Sequence, residues 1–197
     1  MWNERFSGKD YVFGTEPAAF LRRAEPYLKA GQTALAVADG EGRNSVWLAE
    51  QGLAVTAFDF APNGLAKGRA LAKARGVEVD FQLGDITQWD WDGAAFDVVA
   101  AIFIQFVGPD LRAQIFDGLR RALKPGGLLL LHGYAPRQVG YGTGGPGVVE
   151  NMYTVPMLAE AFDGFEILRL EDYDAEIDEG VGHSGKSALV DLIARKP

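Results

Sequence analysis

Four residues at the ends of apolar runs have the types and spacing to hold a nucleoside. Gly40 and Gly42 stand in the turn of "LAVADGEGRN" (35–44), Asp59 ends the next apolar run 17 residues after Gly42, and Asp85 follows a third run in "LGDI". Glycine lets a backbone approach a ligand closely and take positive φ. A carboxylate ending the second strand of a doubly wound sheet accepts hydrogen bonds from both ribose hydroxyls, and one after the third strand can take an adenine amino group. Each feature alone has an ordinary explanation: a tight connection, a helix N-cap, a turn residue. Their order along the chain makes a nucleoside crevice the stronger reading.

The turn also says which nucleoside. The dinucleotide fingerprint is Gly-x-Gly-x-x-Gly/Ala, whereas Gly40 begins Gly-Glu-Gly-Arg-Asn-Ser, with Ser45 in the last place. Glu41 beside a pyrophosphate would repel it, which counts against an NAD-dependent oxidoreductase. A cationic ligand without phosphates suits an acidic turn, and S-adenosylmethionine is one: adenosine, a sulfonium and an amino-acid tail.

The elements that must position these residues alternate in type. Strands are expected over 33–38, 54–59, 77–85, 96–106 and 128–132, and helices over 43–52, 62–76 and 109–127. In the last helix Leu111, Ile115, Leu119 and Leu123 form a stripe at steps of four, with Pro125-Gly126-Gly127 as terminator. Such βα alternation implies a mostly parallel sheet with helices on both faces. A further helix is expected from Thr154, with Pro156 in its first turn. Residues 165–177 and 186–196 then read as two successive strands, antiparallel at the edge of the sheet, with the acidic stretch 171–179 as a solvated loop.

Composition sets outer limits. With 197 residues, 48% hydrophobic, the chain suits one domain over 1–197 with a sizeable core. A net charge of −8 argues against nucleic acid or an anionic membrane as partner. No cysteine is present, so disulfides, thiolate metal sites and a cysteine nucleophile are excluded; no His and acidic spacing suggests a metal. The opening "MWNERFSGKDY" has no basic segment followed by an apolar one. These features lead us to expect a cytoplasmic protein, monomeric or a weak homodimer.

With these motifs in place the sequence resembles class I S-adenosylmethionine-dependent methyltransferases, and more narrowly the tellurite-resistance and thiopurine methyltransferase-like group. The resemblance covers nearly the whole chain, through "WNERF…YVFGTEPAAFL", "ADGEGRNSVWLAEQG", "VTAFD", "GDI", "FDVVAAIF", "LKPGGLLLL" and "GYGTGGP". It implies a Rossmann-like, doubly wound, seven-stranded α/β sheet with an antiparallel C-terminal edge strand, an N-terminal cap over 1–30 and a Gly-rich substrate loop or lid over 133–151. It implies S-adenosylmethionine as cofactor, held by Asp39, Gly40, Glu41, Gly42 and Asn44 in the first turn, by Asp59 and Phe60 after the second strand, by Gly84, Asp85 and Ile86 after the third, and by Ala101, Phe103 and Phe106 at the fourth. The sequence departs from the family at two places: its usual first acid is Ala36 and its first glycine is Ala38. Asp39 or Glu41 is expected to take over the missing acid, and a non-catalytic nucleoside-binding relative is the alternative.

Methyl transfer from a sulfonium needs an acceptor held in line and water kept out. Trp2, Arg5, Phe6, Tyr11 and Phe13 in the cap, Gln105 after the fourth strand and Lys186 near the C-terminus are candidates for the acceptor side. His183, Arg137 and Tyr141 are candidates for catalytic contacts, beside Tyr134 and Thr143 in a loop with six glycines in sixteen residues (132–147). The expected acceptor is a small molecule with a soft nucleophile, a thiol or a selenium or tellurium oxyanion, which needs little help from a base.

Overall fold

A computed structural model describes residues 1–197. The chain runs α1 (Trp2–Arg5), α2 (Ala19–Ala24), a 3-10 turn (Glu25–Tyr27), β1 (Thr33–Val37), α3 (Arg43–Glu50), β2 (Ala54–Asp59), α4 (Pro62–Arg75) and β3 (Val79–Leu83). It continues through β4 (Phe96–Ile102), α5 (Pro109–Ala122), β5 (Leu123–Tyr134), α6 (Gln138–Tyr141), a second 3-10 turn (Val149–Asn151), α7 (Val155–Ala161), β6 (Glu166–Asp178) and β7 (Ser184–Arg195). The seven strands form one sheet in the order β3-β2-β1-β4-β5-β7-β6. Pairs among the first five are parallel, and β7 runs antiparallel to both neighbours.

Period-two alternation sorts the strand residues to two faces. Leu35, Val37, Val99 and Leu129 pack with Ile115 and Leu119 of α5 and Leu158 of α7. The intervening Ala34, Ala36, Val98 and Ala100 pack with Phe20 of α2, Trp47 of α3 and Leu65 of α4. Ala36 lies opposite Ala100 in the β1–β4 pair. Two methyl side chains there leave open space at the point where strand order reverses, which is where doubly wound sheets bind ligands.

Local signals fix the ends of the elements. Pro62 opens α4 and Gly76, at φ +69°, closes it; Thr154 caps α7, its hydroxyl accepting the N–H of Met157 at 3.3 Å. Three expectations change. The antiparallel strand is C-terminal, but it is inserted between β5 and β6, so β6 holds the edge. The acidic stretch 171–179 is not a solvated loop: it continues β6, Asp172 and Asp174 pair with Arg137, and the Glu179 side chain is buried. The glycine-rich segment is not an unstructured span either. It contains α6, and the buried Gln138 accepts the N–H of Ala188 at 2.8 Å and donates to Thr143 Oγ1 and the Gly144 carbonyl.

Candidate active site

One cavity of about 500 Å³ opens at the carboxyl ends of β1, β2, β4 and β5. Its β1–β2 wall is the glycine turn. Three residues of that turn alternate into left-handed backbone: Ala38 (φ +48°), Gly40 (φ +64°) and Gly42 (φ +89°). Only Gly fits at 42, because a Cβ there would lie 2.5 Å from Cα of Gly68 on α4. Gly64 is needed as well: its Cβ would meet the Gly40 carbonyl at 2.6 Å. The pattern of the first turn alone does not reveal these two helix glycines.

Two carboxylates face the cavity. Asp59 accepts the N–H of Gly40 (2.9 Å) on one oxygen and that of Ala61 (2.8 Å) on the other. Burial raises its pKa against those hydrogen bonds. Asp39 is held by Ser45, whose hydroxyl and backbone N–H (3.2 Å) both donate to it. Burial pushes the Asp39 carboxyl up to about 7, with the negative charge of Asp59 adding to it.

The opposite wall is aromatic and cationic. Trp2, Phe6 and Phe13 pack on one another with centroids 5.7–6.3 Å apart. Arg5 lies over the Trp2 and Phe13 rings at 4.9 and 5.4 Å and forms no ion pair. His183, from the tip of the β6–β7 hairpin, packs edge-on to Phe13 at 4.5 Å and Phe103 at 4.2 Å. Burial holds its pKa down at about 3, helped by Arg43, His132 and Arg5. Its Nδ1 lies 2.8 Å from the Tyr134 hydroxyl. Phe103 follows β4 at φ +56°, a left-handed conformation costly for a bulky residue, and its ring is the floor between His132, Tyr134 and His183.

Most of the expected residues meet here. Asp39, Gly40, Asn44, Asp59, Phe60, Phe103 and Phe106 line the cavity, as do Trp2, Arg5, Phe6, Phe13, Gln105 and His183. Others lie outside its walls. Glu41 and Gly42 turn away from it; the Glu41 carboxylate is buried against Val12, Phe13 and Lys67. Ile86 and Ala101 belong to the core, and Gly84 makes room for Trp89. Asp85 is exposed and accepts the N–H and hydroxyl of Thr87, so it is the turn residue its position also allowed. Tyr11 donates to the Lys67 carbonyl. Arg137, Tyr141 and Lys186 gather on the exposed Asp174 instead. Gln105 reaches the cavity, but both ends of its amide are bonded to the Tyr134 backbone. His132 is structural: buried, stacked on Phe20 and bonded to Asp191 at 2.8 Å.

Sequence reasoning missed Arg43, Asn151 and Gly182 in the lining. Arg43 forms a buried ion pair with Glu179 at 2.8 Å, a contact between residues 136 apart that no local pattern signals. The donor set fits S-adenosylmethionine. Asp59 and Asp39 are carboxylates facing the cavity, and apolar walls flank both.

Comparison with known proteins agrees. Residues 34–127 match the family described as "Methyltransferase domain". The chain is 36% identical over 115 residues to a ubiquinone biosynthesis O-methyltransferase of Paramagnetospirillum magneticum, covering 57% of this chain and 45% of that one. It is 36% identical over 110 residues to a demethylmenaquinone methyltransferase of Thermus thermophilus, covering 55% and 50%. The chain thus spans about half the length of the curated relatives it matches. The structure of TehB from Haemophilus influenzae superposes with a TM-score of 0.74 at 17% identity, over all of this chain and 66% of that one, a likeness of fold. The domain match stops short of Trp2, Phe13, Tyr134 and His183, so it covers the Asp39–Asp59 wall and leaves the aromatic wall unassigned. Residues 34–127 of this chain are thus similar to a methyltransferase domain, and the whole chain has a fold like that of TehB.

Proposed function

We propose that the protein methylates a small molecule at a soft nucleophilic atom, a thiol or a selenium or tellurium oxyanion. The observation that carries this reading is the composition of the cavity: two carboxylates on one wall, an aromatic wall with Arg5 and His183 on the other, and no effective base beside the second. S-adenosylmethionine supplies the activated methyl group on a positively charged sulfur. Asp59 takes the ribose hydroxyls. Asp39, three residues after the position of the family's usual acid at Ala36, receives the amino-acid end, with Gly40 and Asn44 beside it. Phe60, Phe103 and Phe106 flank the cofactor with apolar surface. Trp2, Phe6 and Phe13 exclude water and offer ring faces to positive charge.

The acceptor meets Arg5 and His183. A histidine held at about 3 stays neutral at neutral pH and is a weak proton acceptor. An oxygen or nitrogen nucleophile that must lose a proton finds little help there, whereas a thiolate or a reduced chalcogen lone pair needs none.

Calorimetry tests the first half. S-adenosylhomocysteine is expected to bind and NAD is not, and Asp59→Ala should lose at least about tenfold in affinity through a lost charged hydrogen bond. Incubation with aryl thiols, selenite or tellurite, the last two with a reductant, tests the second: methylated product is expected from at least one. Binding without turnover on any of them would favour the second reading, a non-catalytic S-adenosylmethionine-binding relative, which Ala36 and Ala38 in place of the family's acid and glycine recommend.

A further inference from the structure

The Glu41 side chain of the cofactor turn faces away from the cavity and grips the segment that walls its far side. Glu41 stands between the two turn glycines. Its Oε2 accepts the N–H of Val12 at 2.8 Å and of Phe13 at 3.3 Å, and its Oε1 pairs with Lys67 at 2.7 Å. Lys67 donates onward to the Asp10 carbonyl at 2.6 Å. The Phe13 ring then meets His183, and Phe6 lies 3.5 Å from the place of a Cβ on Gly40. A buried ion pair is weak evidence for stability, since apolar residues of like volume often serve as well; fixing one arrangement is its better-attested use. The turn it sits in has three residues at positive φ within five positions, so its conformation is not locked by local preference alone.

We infer that Glu41 is a positioning residue that couples the two ends of the site: a cofactor that orders residues 38–42 orders the Val12–Phe13 backbone through it, and completes the aromatic wall against His183. The identity of the cofactor rests on the function proposed above; the coupling rests on the hydrogen bonds of Glu41.

Hydrogen exchange with and without S-adenosylhomocysteine, on wild type, Glu41→Gln and Glu41→Ala, tests it, with calorimetry on each protein. In wild type the ligand should slow exchange about tenfold or more in residues 10–18 as well as in 36–44. Glu41→Ala should bind within about threefold of wild type, keep protection at 36–44 and lose it at 10–18, and Glu41→Gln, with one acceptor oxygen, should fall between. A merely structural role would loosen 10–18 equally with and without ligand. Protection of 10–18 that is unchanged in the variants, or absent in wild type that binds ligand, overturns the coupling alone. Wild type that binds no S-adenosylhomocysteine overturns the proposed function, and the coupling with it. Should Glu41→Ala fail to fold, loss of at least about threefold of the protection in Glu41→Gln is the expected result and no loss the contrary one.

Discussion

The Tyr134 hydroxyl and His183 Nδ1 lie 2.8 Å apart, both residues buried against the cavity. No other acceptor is in reach of that hydroxyl, so it donates to Nδ1 and leaves the proton of the neutral ring on Nε2. The ring is held down at about 3 by burial, with Arg43, His132 and Arg5 nearby. In the unfolded chain it titrates near 6.5. A depressed histidine favours the folded state above the unfolded value, and that contribution falls as pH drops from about 6.5 toward 3. Nitrogen-15 NMR of the two histidines should find His183 as the Nε2–H tautomer, with no titration between pH 5 and 8. His183→Gln should lessen the loss of stability on acidification.

Asp39 has the opposite sign. Its carboxyl is raised to about 7, chiefly by burial, against 3.8 when unfolded. The folded state holds the proton more tightly, so this group's contribution is full below about 4 and is lost as pH rises to about 7. A cationic ligand prefers the ionised form. Affinity for S-adenosylmethionine should therefore rise from pH 6 to about 7 and level above it, with proton release on binding. Asp39→Asn should bind more weakly by about tenfold at pH 8 and show no such dependence. Calorimetry in buffers of differing ionisation heat measures both.

The strands, the crevice and the carboxylate at the end of β2 are legible in the sequence because they follow local rules. Alternation of "TALAV" and "FDVVAAI" gives the faces, and Asp59 stands at a strand end. Glu41 was placed at the ligand because charge in a glycine turn was read without its direction. The side chain points at Val12, 29 residues earlier in the chain. Asp85 was drawn to the crevice by its position at the end of β3, yet Thr87, two residues on, takes its carboxylate. Arg137, Tyr141 and Lys186 look available for an oxyanion in the sequence because Asp174 lies 37, 33 and 12 residues away from them. Glu179 shows the converse: an acidic run implies solvent, but one buried arginine reverses that. For Glu41 and Glu179 the partner lies far away in sequence, and for Asp85 it is a local turn that competes with the crevice.

Ala38 occupies the position of the family's first glycine and keeps the glycine conformation, φ +48°. Left-handed backbone costs an L-residue about 1–2 kcal/mol, while glycine loses more chain entropy on folding, by about 0.5–1 kcal/mol. The strain term is the larger. Ala38→Gly should stabilise the protein by about 0.5–1 kcal/mol in urea unfolding, with an unchanged m-value.

Gln105 replaces a strand pairing where none is available. β4 ends at Ile102, and β5 runs on to Tyr134 with one side of its backbone unpaired. The Gln105 amide fills that gap, its Oε1 accepting the Tyr134 N–H at 2.6 Å and its Nε2 donating to the Tyr134 carbonyl at 2.8 Å. Both groups are buried, and so is Gln105. Gln105→Leu keeps the volume and strands the Tyr134 N–H, at about 1–3 kcal/mol for that unsatisfied group, while the carbonyl keeps the N–H of Tyr153 at 2.9 Å. Gln105→Glu restores only the acceptor. Urea unfolding should rank wild type above Gln105→Glu and Gln105→Leu, with a loss of about 1–3 kcal/mol in the leucine variant. Phe106 follows immediately on the cavity rim, and Tyr134 carries the hydroxyl that orients His183. Saturation with S-adenosylhomocysteine should therefore leave the leucine variant's His183 resonances broadened over more than one ring environment, where wild type shows one. An equally sharp single His183 signal in that variant would mean that the Phe103–Phe106 turn holds Tyr134 without the amide.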